Sequence, residues 1–321
     1  MTGRYLVRRL LQVPPAVIGI LVIAFLLIHL APGDPILALA GDNGDAAYYA
    51  EMQAKFGLDR SLPEQLGIFI ANLLRFDLGL SYVQGRPAMA VVLERIPSTL
   101  LLTGSAVVFA TVTGVALGVV AAAGAHGRRD LAINIGTLGL HATPSFWLGQ
   151  LAILTLGLWV GWFPVSGMTD PRSSATGLAL ALDVGRHLLL PMLVLAATEI
   201  AVIARLTRSG ILDELSRDYV RTARAKGLSE ARVLSRHALR CALLPVVTVI
   251  GGRVGHLLAG AVLVEAVFGW PGVGRLLLSS VQARDIPIVL AVLLLIGSMV
   301  IIANVLTDLL YVRLDPRIRY T

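Results

Sequence analysis

The stretch "DYVRTARAKGLSEARVLSRHALRCALLP" (Asp218–Pro245) lies between two strongly apolar stretches of the sequence. It combines arginines, one lysine and small side chains with a single glycine, Gly227. The rest of the chain is poor in charge, since 15% of its 321 residues are charged and 56% are hydrophobic. A soluble domain usually contains about 25% charged residues. The composition therefore indicates an integral membrane protein, in which this stretch connects two membrane spans.

The net charge of the chain is +7, from 27 Lys and Arg residues against 20 Asp and Glu residues. A basic chain is a candidate for nucleic-acid binding, but these basic residues are dispersed between apolar stretches. In a membrane protein, basic loops set the orientation in the bilayer and contact anionic headgroups. We therefore expect membrane lipid, and no nucleic acid, among the partners. The single cysteine, Cys241, excludes an internal disulfide.

Six stretches are long enough to cross a bilayer, whose apolar core of about 30 Å needs about 20 apolar residues in a helix. They are residues 10–30, 98–123, 131–160, 187–206, 242–264 and 288–312. The third is longer than a straight span needs and is interrupted by Pro144. The first is predicted to be a retained helix, because its apolar run is too long for a cleaved signal peptide. The sequence thus predicts an all-α integral membrane protein with six transmembrane helices.

The distribution of basic residues predicts the orientation. Seventeen of the 27 Lys and Arg residues fall in the two termini and in the 124–130 and 205–240 loops, and nine fall in the other connections. By the positive-inside rule, both termini and the 205–240 loop are cytoplasmic. We expect residues 1–95 to form an N-terminal membrane helix and an extracytoplasmic region, residues 96–312 to form a five-helix membrane domain, and residues 313–321 to form a cytoplasmic tail.

The 211–240 loop is predicted to form two short helices. Residues 211–226 have apolar side chains at three- and four-residue spacing, with Asp218 placed to pair with Arg221. Gly227 suits the left-handed residue that ends such a helix, and Ser229 suits the N-cap of the next. Arginines then recur at every fourth position, at Arg232, Arg236 and Arg240.

Two interpretations of this loop remain open at this point. Ala223 and Ala225 keep the turn region narrow enough to fit a groove on a partner protein. Alternatively, the loop is a surface connection whose arginines rest on anionic lipid headgroups. The headgroup interpretation accounts for the arginines better than it accounts for the helix–glycine–helix arrangement with small residues at its tip.

The sequence "YVRTARAKGL" (Tyr219–Leu228), followed by "LP" before the next span, resembles the loop of binding-protein-dependent ABC transporter permeases that contains the EAA motif. The spacing from Gly227 to Pro245 is similar to that of the dipeptide/oligopeptide/nickel branch, and of its first permease subunit. Arg221 and Thr222 stand at the positions of the motif's Glu and first Ala, as is usual in this branch.

Other segments, in the same order along nearly the whole chain, resemble the same family. They are "APGDP" (31–35), "FGLDRSLPEQ" (56–65), "FDLGLSY" (76–82), "ATPSFWLGQL" (142–151), "EAVFGWPGVGRLL" (265–277), "RDIP" (284–287) and "NVLTDLLYVRLDPRIRY" (304–320). Cys241 departs from the pattern, since asparagine is expected there.

The resemblance implies a type I ABC importer permease fold with cytoplasmic coupling helices, in a multi-pass protein of the bacterial inner membrane. It implies a second homologous permease, one or two ABC ATPase subunits that bind ATP and Mg, an extracytoplasmic substrate-binding protein and a peptide substrate. The ATPase-coupling residues that it implies are Tyr219, Arg221, Thr222, Ala223, Arg224, Ala225, Lys226, Gly227 and Leu228.

A second candidate site follows the fifth predicted span. The sequence "FGWPGVG" (Phe268–Gly274) combines apolar side chains with Pro–Gly turn chemistry. We expect a re-entrant or surface turn near an external gate, with an ordinary exposed connector as the alternative. The gate candidates are Glu265, Phe268, Trp270, Pro271 and Gly272.

Nothing in the sequence indicates catalysis. It contains no G-x-x-x-x-G-K-[ST] phosphate loop, no H-E-x-x-H motif and no paired Cys ligands, so we expect a non-enzyme with no cofactor of its own. The alternative function is a secondary transporter or channel that acts without an ATPase. Such a protein uses ionisable residues within its spans as relays, and the candidates are Glu199, Arg253, His256 and Asp308. For each of these, a position near a helix end or a pairing inside the bundle is the favoured alternative, because charges within a membrane are costly and usually find partners.

The predicted orientation is testable by thiol labelling. A cysteine placed at Asp45 should react with an impermeant reagent added outside the cell, because the 31–97 segment is predicted to be external. A cysteine placed at Ser229 should not react. The reverse labelling pattern would contradict the orientation.

Overall fold

The structure is a computed structural model that describes residues 11, 13–30, 47, 50, 51, 54, 59–75 and 77–314. Within these residues the chain is helical, and its only β-type pairing is an isolated bridge between Leu80 and Pro87. Helices satisfy every backbone polar group within one segment, which is what an apolar chain needs inside a bilayer. The all-α expectation is confirmed for the described part of the chain.

The first helices in chain order are α1 (Val13–Leu30), α2 (Leu62–Leu74), α3 (Ala88–Leu93), α4 (Ile96–Ala123), α5 (Arg128–Ala142), α6 (Ser145–Ala152) and α7 (Gly177–Leu215). The remaining helices are α8 (Asp218–Ala225), α9 (Glu230–Arg232), α10 (Leu239–Gly252), α11 (Val254–Val267), α12 (Val273–Gln282) and α13 (Ile286–Leu314). Two π-helical segments, Ile153–Trp159 and Val233–Ala238, continue α6 and α9 respectively.

Four helical segments of the described chain are long and apolar enough to cross a membrane. They are Ala88–Ala123, Gly177–Leu215, Glu230–Gly252 and Ile286–Val305. Of two shorter apolar helices, Ser145–Trp159 lies within the third predicted span and Leu257–Val267 overlaps the end of the fifth. Helix α1 coincides with the first predicted span.

Two predicted spans are broken, the third at the interruption expected from Pro144 and the fifth where a continuous helix was expected. The third is interrupted because α5 ends at Ala142, and Thr143 is extended with φ −87° and ψ 126°. Proline disfavours the helical conformation in the residue before it, so Pro144 explains this break. The fifth is interrupted at Arg253, between α10 and α11, so Arg253 lies at a helix junction rather than inside one helix.

The described residues form two compact units. The first unit contains residues up to 99 and residues 271–301, and the second contains residues 100–270 and 302–321. The core of the first unit is formed by apolar side chains of α3, α12 and α13, including Val92, Val273 and Ile288. Thr99 Oγ1 accepts a hydrogen bond of 2.8 Å from the Val273 amide, which fixes the start of α12.

The core of the second unit joins α4, α7 and α11. Its buried residues include Leu102 of α4, Leu190 of α7 and Val264 of α11. Close contact between α4 and α7 depends on small residues, because a methyl group at Gly118 would lie 2.6 Å from Thr207 Cβ and 2.7 Å from the Ala204 carbonyl oxygen. Small residues allow this close helix approach in membrane proteins.

Gly118→Ala should therefore destabilise the protein by about 1–3 kcal/mol, the usual cost of overpacking a core. Gly104 lies on the same helix, and a methyl group there would meet no atom within 4 Å. Gly104→Ala is the matched control and should leave the unfolding temperature of the detergent-solubilised protein unchanged or slightly raised. Equal unfolding temperatures for the two variants would contradict the close α4–α7 contact.

Candidate functional site

The 211–240 loop begins with a break that the sequence analysis did not predict. A single helix over residues 211–226 was expected, but α7 ends at Leu215 and α8 starts at Asp218. Arg217 between them is extended, with φ −75° and ψ 152°. Because of this turn, α8 is a separate helix and not a continuation of α7. The predicted Asp218–Arg221 ion pair is present at 3.3 Å.

Helix α8 ends as its sequence predicts. Gly227 has φ +79°, in the left-handed region that favours glycine. Its amide donates to the Arg224 carbonyl at 2.9 Å, and the Leu228 amide donates to the Ala223 carbonyl at 3.3 Å. These two hydrogen bonds form a Schellman motif, which satisfies the last carbonyls of the helix. The tight turn between the two short helices is therefore determined by local backbone chemistry.

The second short helix follows at once. Ser229 occupies the N-cap position, and its carbonyl oxygen accepts from the amides of Arg232 and Val233 at 2.9 Å each. Its side chain forms no capping hydrogen bond. Across the turn, Arg224 donates two hydrogen bonds of 2.6 and 3.1 Å to the Glu230 carboxylate. The bonds from Arg224 hold the pKa of Glu230 below its ordinary value.

The loop has an inner face and an outer face. Val220, Ala223 and Val233 are buried, with exposed fractions of 0%, 6% and 0%, and Leu215 and Leu228 pack against them. The outer face of the same turn consists of exposed side chains, which are Tyr219, Arg221, Thr222, Arg224, Ala225, Lys226 and Gly227. The loop thus has a small apolar core of its own.

The two faces place Ala223 and Ala225, which had the same predicted role, in different environments. Ala223 points into the loop, where its small size allows α8 to pack on Val233. Ala225 is exposed on the outer face. A large side chain at Ala223 would disrupt the loop itself, whereas one at Ala225 would alter only the surface that the loop presents.

The loop is joined to the rest of the second unit by two contacts. Ile211 of α7 and Ala242 of α10 are buried in one cluster with Ala238. A methyl group at Gly210 would lie 3.2 Å from Ala242 Cβ, so α7 and α10 approach closely at the base of the loop. The two short helices therefore connect two long helices that are themselves in direct contact.

A second anchor lies nearby and was not singled out from the sequence. The Asp130 carboxylate accepts two hydrogen bonds of 2.6 Å from the Arg208 guanidinium of α7. It also accepts from the His126 amide at 2.9 Å and from Asn134 Nδ2 at 2.6 Å. His126 has φ +64°, so this carboxylate holds a left-handed turn before α5. The acidic residue in the first turn of α5 was the available sequence signal, but its partner is 78 residues away.

Two of the four ionisable residues singled out in the spans form a pair. Glu199 of α7 accepts hydrogen bonds of 2.6 and 2.9 Å from the guanidinium of Arg253, at the junction of α10 and α11. The Glu199 side chain is only 4% exposed and that of Arg253 is 26% exposed. Glu199 and Arg253 therefore form an ion pair within the helix bundle and are not two separate relays. The side chains of His256 and Asp308 lie outside the described residues.

Four of the five gate candidates are buried, and Pro271 is half-buried. In the second unit, Glu265, Phe268 and Trp270 are 0%, 2% and 0% exposed, and the Trp270 amide donates to the Glu265 carbonyl at 2.9 Å. In the first unit, Pro271 is half-buried and Gly272 is buried at the N-cap of α12. An ordinary exposed connector does not fit this burial. The gate role itself stays a prediction.

Comparison with known proteins identifies the class. Residues 114–320 match the family described as "Binding-protein-dependent transport system inner membrane component". Residues 2–103 match the family of N-terminal segments of such membrane components. The chain therefore belongs to the inner-membrane components of binding-protein-dependent transport systems.

Relatives of similar length fall in the same class. The dipeptide transport system permease protein DppB of Escherichia coli (strain K12) is 40% identical, with 99% of each chain covered. The di/tripeptide transport system permease protein DppB of Pseudomonas aeruginosa is 40% identical, with 98% of each chain covered. The glutathione transport system permease protein GsiC of Pectobacterium atrosepticum is 40% identical over 98% of this chain and 99% of its own.

The fold is shared with a solved structure. The crystal structure of an amino acid ABC transporter with histidines aligns with a TM-score of 0.53 and 17% sequence identity, covering 70% of this chain and 94% of that chain. At this identity the likeness concerns the fold alone. The expected ABC permease fold is confirmed at this level.

Asp130→Asn should lower the unfolding temperature at pH 7, because Arg208 loses a charged acceptor that is held at 2.6 Å. The hydrogen bonds from Arg208 lower the pKa of Asp130 from 3.8 to about 2. A lowered pKa stabilises the folded state above the unfolded pKa, and that contribution is lost as the pH falls from about 4 towards about 2.

The difference between wild type and Asp130→Asn should therefore be constant between pH 5 and pH 8, and shrink only below about pH 4. Asp213→Asn, which changes an exposed carboxylate at the end of α7, is the control and should have little effect at any pH. A difference that disappears already near neutral pH would show that the ion pair is not the cause.

Proposed function

We propose that this chain is the transmembrane permease subunit of an ATP-driven ABC importer, and that it forms a translocation path for di- and oligopeptides with a second permease. The observation that supports the coupling role best is the 211–240 loop, whose inner face is buried against the chain and whose outer face is exposed. The loop packs on its own apolar cluster and is connected directly to two long helices.

The partners follow from the family to which the chain belongs. We propose that one or two ABC ATPase subunits, which bind ATP and Mg, accept the outer face of α8 in a cleft. An extracytoplasmic substrate-binding protein delivers the peptide. In this arrangement the chain itself is non-catalytic, and ATP hydrolysis takes place in the partner subunits.

Peptides are the proposed cargo because three similar permeases are named for dipeptide, di/tripeptide and glutathione transport. Uptake of a labelled dipeptide and of labelled glutathione by the reconstituted importer tests this proposal directly. Uptake of neither substrate, by an importer that hydrolyses ATP, would contradict it.

The proposed topology has six transmembrane helices in the bacterial inner membrane, with both termini cytoplasmic. In this topology the first span is α1. The third is the broken helix α5–α6, and the fifth is the broken helix α10–α11. With the 205–240 loop inside the cell, Arg208 and the outer face of α8 lie on the side where ATP is available.

Alternating access provides the proposed mechanism. ATP closes the ATPase dimer, and the docked loops transmit that movement to the membrane helices. A ligand shifts a conformational equilibrium only by its difference in affinity between the two states. ATP can therefore move the gate only if the docked loop contacts differ between the inward-facing and outward-facing states.

The contact between α7 and α10 at Gly210 and Ala242 suits this role. A displacement of α8 acts on both of these helices, because only Ser216 and Arg217 separate it from α7, and the helical segment from Glu230 to Ala238 runs directly into α10. The Glu199–Arg253 pair then joins α7 to the α10–α11 junction deeper in the unit. A coupled movement of three helices follows from these contacts.

Ala225→Trp should abolish or strongly reduce retention of the ATPase subunit in a pull-down, because an indole on the outer face would clash in a close-fitting cleft. Membrane abundance should stay normal, since Ala225 is exposed and packs on nothing that the fold needs. Peptide-stimulated ATP hydrolysis should fall in parallel.

The matched control is Ala123→Trp, which introduces the same side chain at an exposed alanine at the end of α4, on the same predicted side of the membrane. It should retain the ATPase normally. Wild-type retention by Ala225→Trp would favour the interpretation in which this loop rests on lipid headgroups.

A further inference from the structure

Tyr219 differs from the other exposed side chains of α8 in the partner of its hydrogen bond. Its hydroxyl donates to Glu214 Oε2 at 2.6 Å, and Glu214 lies in the last turn of α7. By contrast, Thr222 donates to the Asp218 carbonyl of its own helix at 3.1 Å, and Arg221 pairs with Asp218. Among the described side chains of the outer face, only Tyr219 is hydrogen-bonded to α7.

The Tyr219 hydroxyl also contacts α10, through the Cys241 thiol in the first turn of that helix. Partial burial, with the hydrogen bonds to Glu214 and Cys241, raises the pKa of Tyr219, so the hydroxyl keeps its proton at physiological pH. A phenol has one proton to donate and can also accept, so Tyr219 donates to Glu214 and accepts from the thiol. Tyr219 thus connects the end of α7 with the start of α10.

The bond to Glu214 is the stronger of these two contacts. Its length of 2.6 Å is typical of a hydroxyl that donates to a carboxylate, and such charge-assisted bonds are about twice as strong as neutral ones. A thiol is only a weak donor. The Glu214 side chain is half-buried and has no second hydrogen-bond partner among the described residues. Tyr219 is therefore the group that this carboxylate serves.

The turn between α7 and α8 consists of Ser216 and Arg217. Its polar groups are satisfied locally, because the amide and the hydroxyl of Ser216 both donate to the Asp213 carbonyl, at 3.3 and 2.7 Å. These bonds end α7, but they do not reach α8. The Tyr219–Glu214 bond crosses the turn, and it is the one side-chain hydrogen bond in the described chain that joins α7 to α8.

The inner face of α8 provides a different kind of restraint. Val220 and Ala223 pack on Val233, with Leu215 against them. Apolar contacts are not directional, so they hold α8 on the loop without determining its orientation closely. A short hydrogen bond is directional, and the bond from Tyr219 adds this missing restraint on the exposed side. The two restraints together make α8 move with the ends of α7 and α10.

We propose that Tyr219 is a positioning residue for transport, which passes a displacement of α8 to α7 and α10 through Glu214 and Cys241. The inference rests on the proposed function, in which the ATPase displaces α8. It differs from the role that the family resemblance implies, which groups Tyr219 with the residues that contact the ATPase. Loss of the hydroxyl should therefore weaken the coupling of ATP hydrolysis to transport and leave the binding of the ATPase intact.

The test uses the complete importer in proteoliposomes, with its ATPase subunits, its substrate-binding protein and a labelled dipeptide. The quantity measured is the number of dipeptides taken up per ATP hydrolysed, and retention of the ATPase in a pull-down is measured alongside. Tyr219→Phe, which removes only the hydroxyl, should lower this ratio by about two- to fivefold, because one charge-assisted hydrogen bond is lost. Retention of the ATPase should stay at the wild-type level, because the ring and its exposed surface are unchanged.

Glu214→Ala removes the acceptor and should lower the ratio as much as Tyr219→Phe does. The double variant should be no worse than either single one, because the two side chains form one interaction. Glu214→Gln keeps a neutral acceptor and should restore part of the ratio. Ser235→Ala is the control, since it removes an exposed hydroxyl of the same loop that donates only to the Ala231 carbonyl, at 2.7 Å. It should leave the ratio unchanged.

A wild-type ratio in Tyr219→Phe would overturn the proposal, as would additive losses in the double variant. Loss of ATPase retention by Tyr219→Phe, to the extent expected for Ala225→Trp, would assign Tyr219 to the docking surface and overturn it too. If Tyr219→Phe does not accumulate in the membrane, Glu214→Ala decides the question by the same ratio. Failure of the proposed function is distinguishable, because it would appear as an absence of dipeptide uptake by the wild-type importer.

Discussion

Burial of Val220, Ala223 and Val233 in one cluster is the interaction on which the arrangement of the 211–240 loop depends. Three small or medium apolar side chains, held by the Schellman turn at Gly227, determine which face of α8 points outward. Without that cluster, the loop would be a flexible basic connection, and a force applied to it would not reach the membrane helices. With the cluster, the loop is a packed connection between α7 and α10.

Two ion pairs connect α7 to further parts of the second unit. Asp130 ties the turn before α5 to Arg208, and Glu199 ties α7 to the α10–α11 junction through Arg253. A charge inside a bilayer is expensive, and the Glu199 carboxylate within its span accepts two hydrogen bonds from the Arg253 guanidinium. Because α7 carries one partner of each pair, it is the helix through which a displacement of the loop would spread.

Local features of this structure could be predicted from the sequence, whereas contacts between distant residues could not. The left-handed Gly227, the N-cap position of Ser229 and the Asp218–Arg221 pair follow from chemistry within a few residues. The break between α7 and α8 was missed, because Ser216 and Arg217 have no strong helix-breaking signal. The apolar period of residues 211–226 continues through that turn, so periodicity alone favoured one helix.

Pairings over long distances were missed for a different reason. Asp130 and Arg208 are 78 residues apart, and Ser81 and Asp285 are 204 residues apart, so nothing in the local pattern links them. The different environments of Ala223 and Ala225 likewise depend on Val233, which lies across the turn. Composition and resemblance were sufficient to predict the class of protein. Which side chains are buried and which form its surfaces could be determined only from the three-dimensional structure.

The most direct measurement of the central claim is thiol accessibility on the outer face of α8. In a Cys241→Ser background, maleimide labelling of Thr222→Cys and Ala123→Cys is compared in inside-out vesicles, with and without the ATPase subunits. Both positions are exposed in the chain alone. If the outer face docks on the ATPase, its addition blocks labelling at Thr222→Cys and leaves Ala123→Cys unchanged. Equal labelling of Thr222→Cys with and without the ATPase would contradict the account.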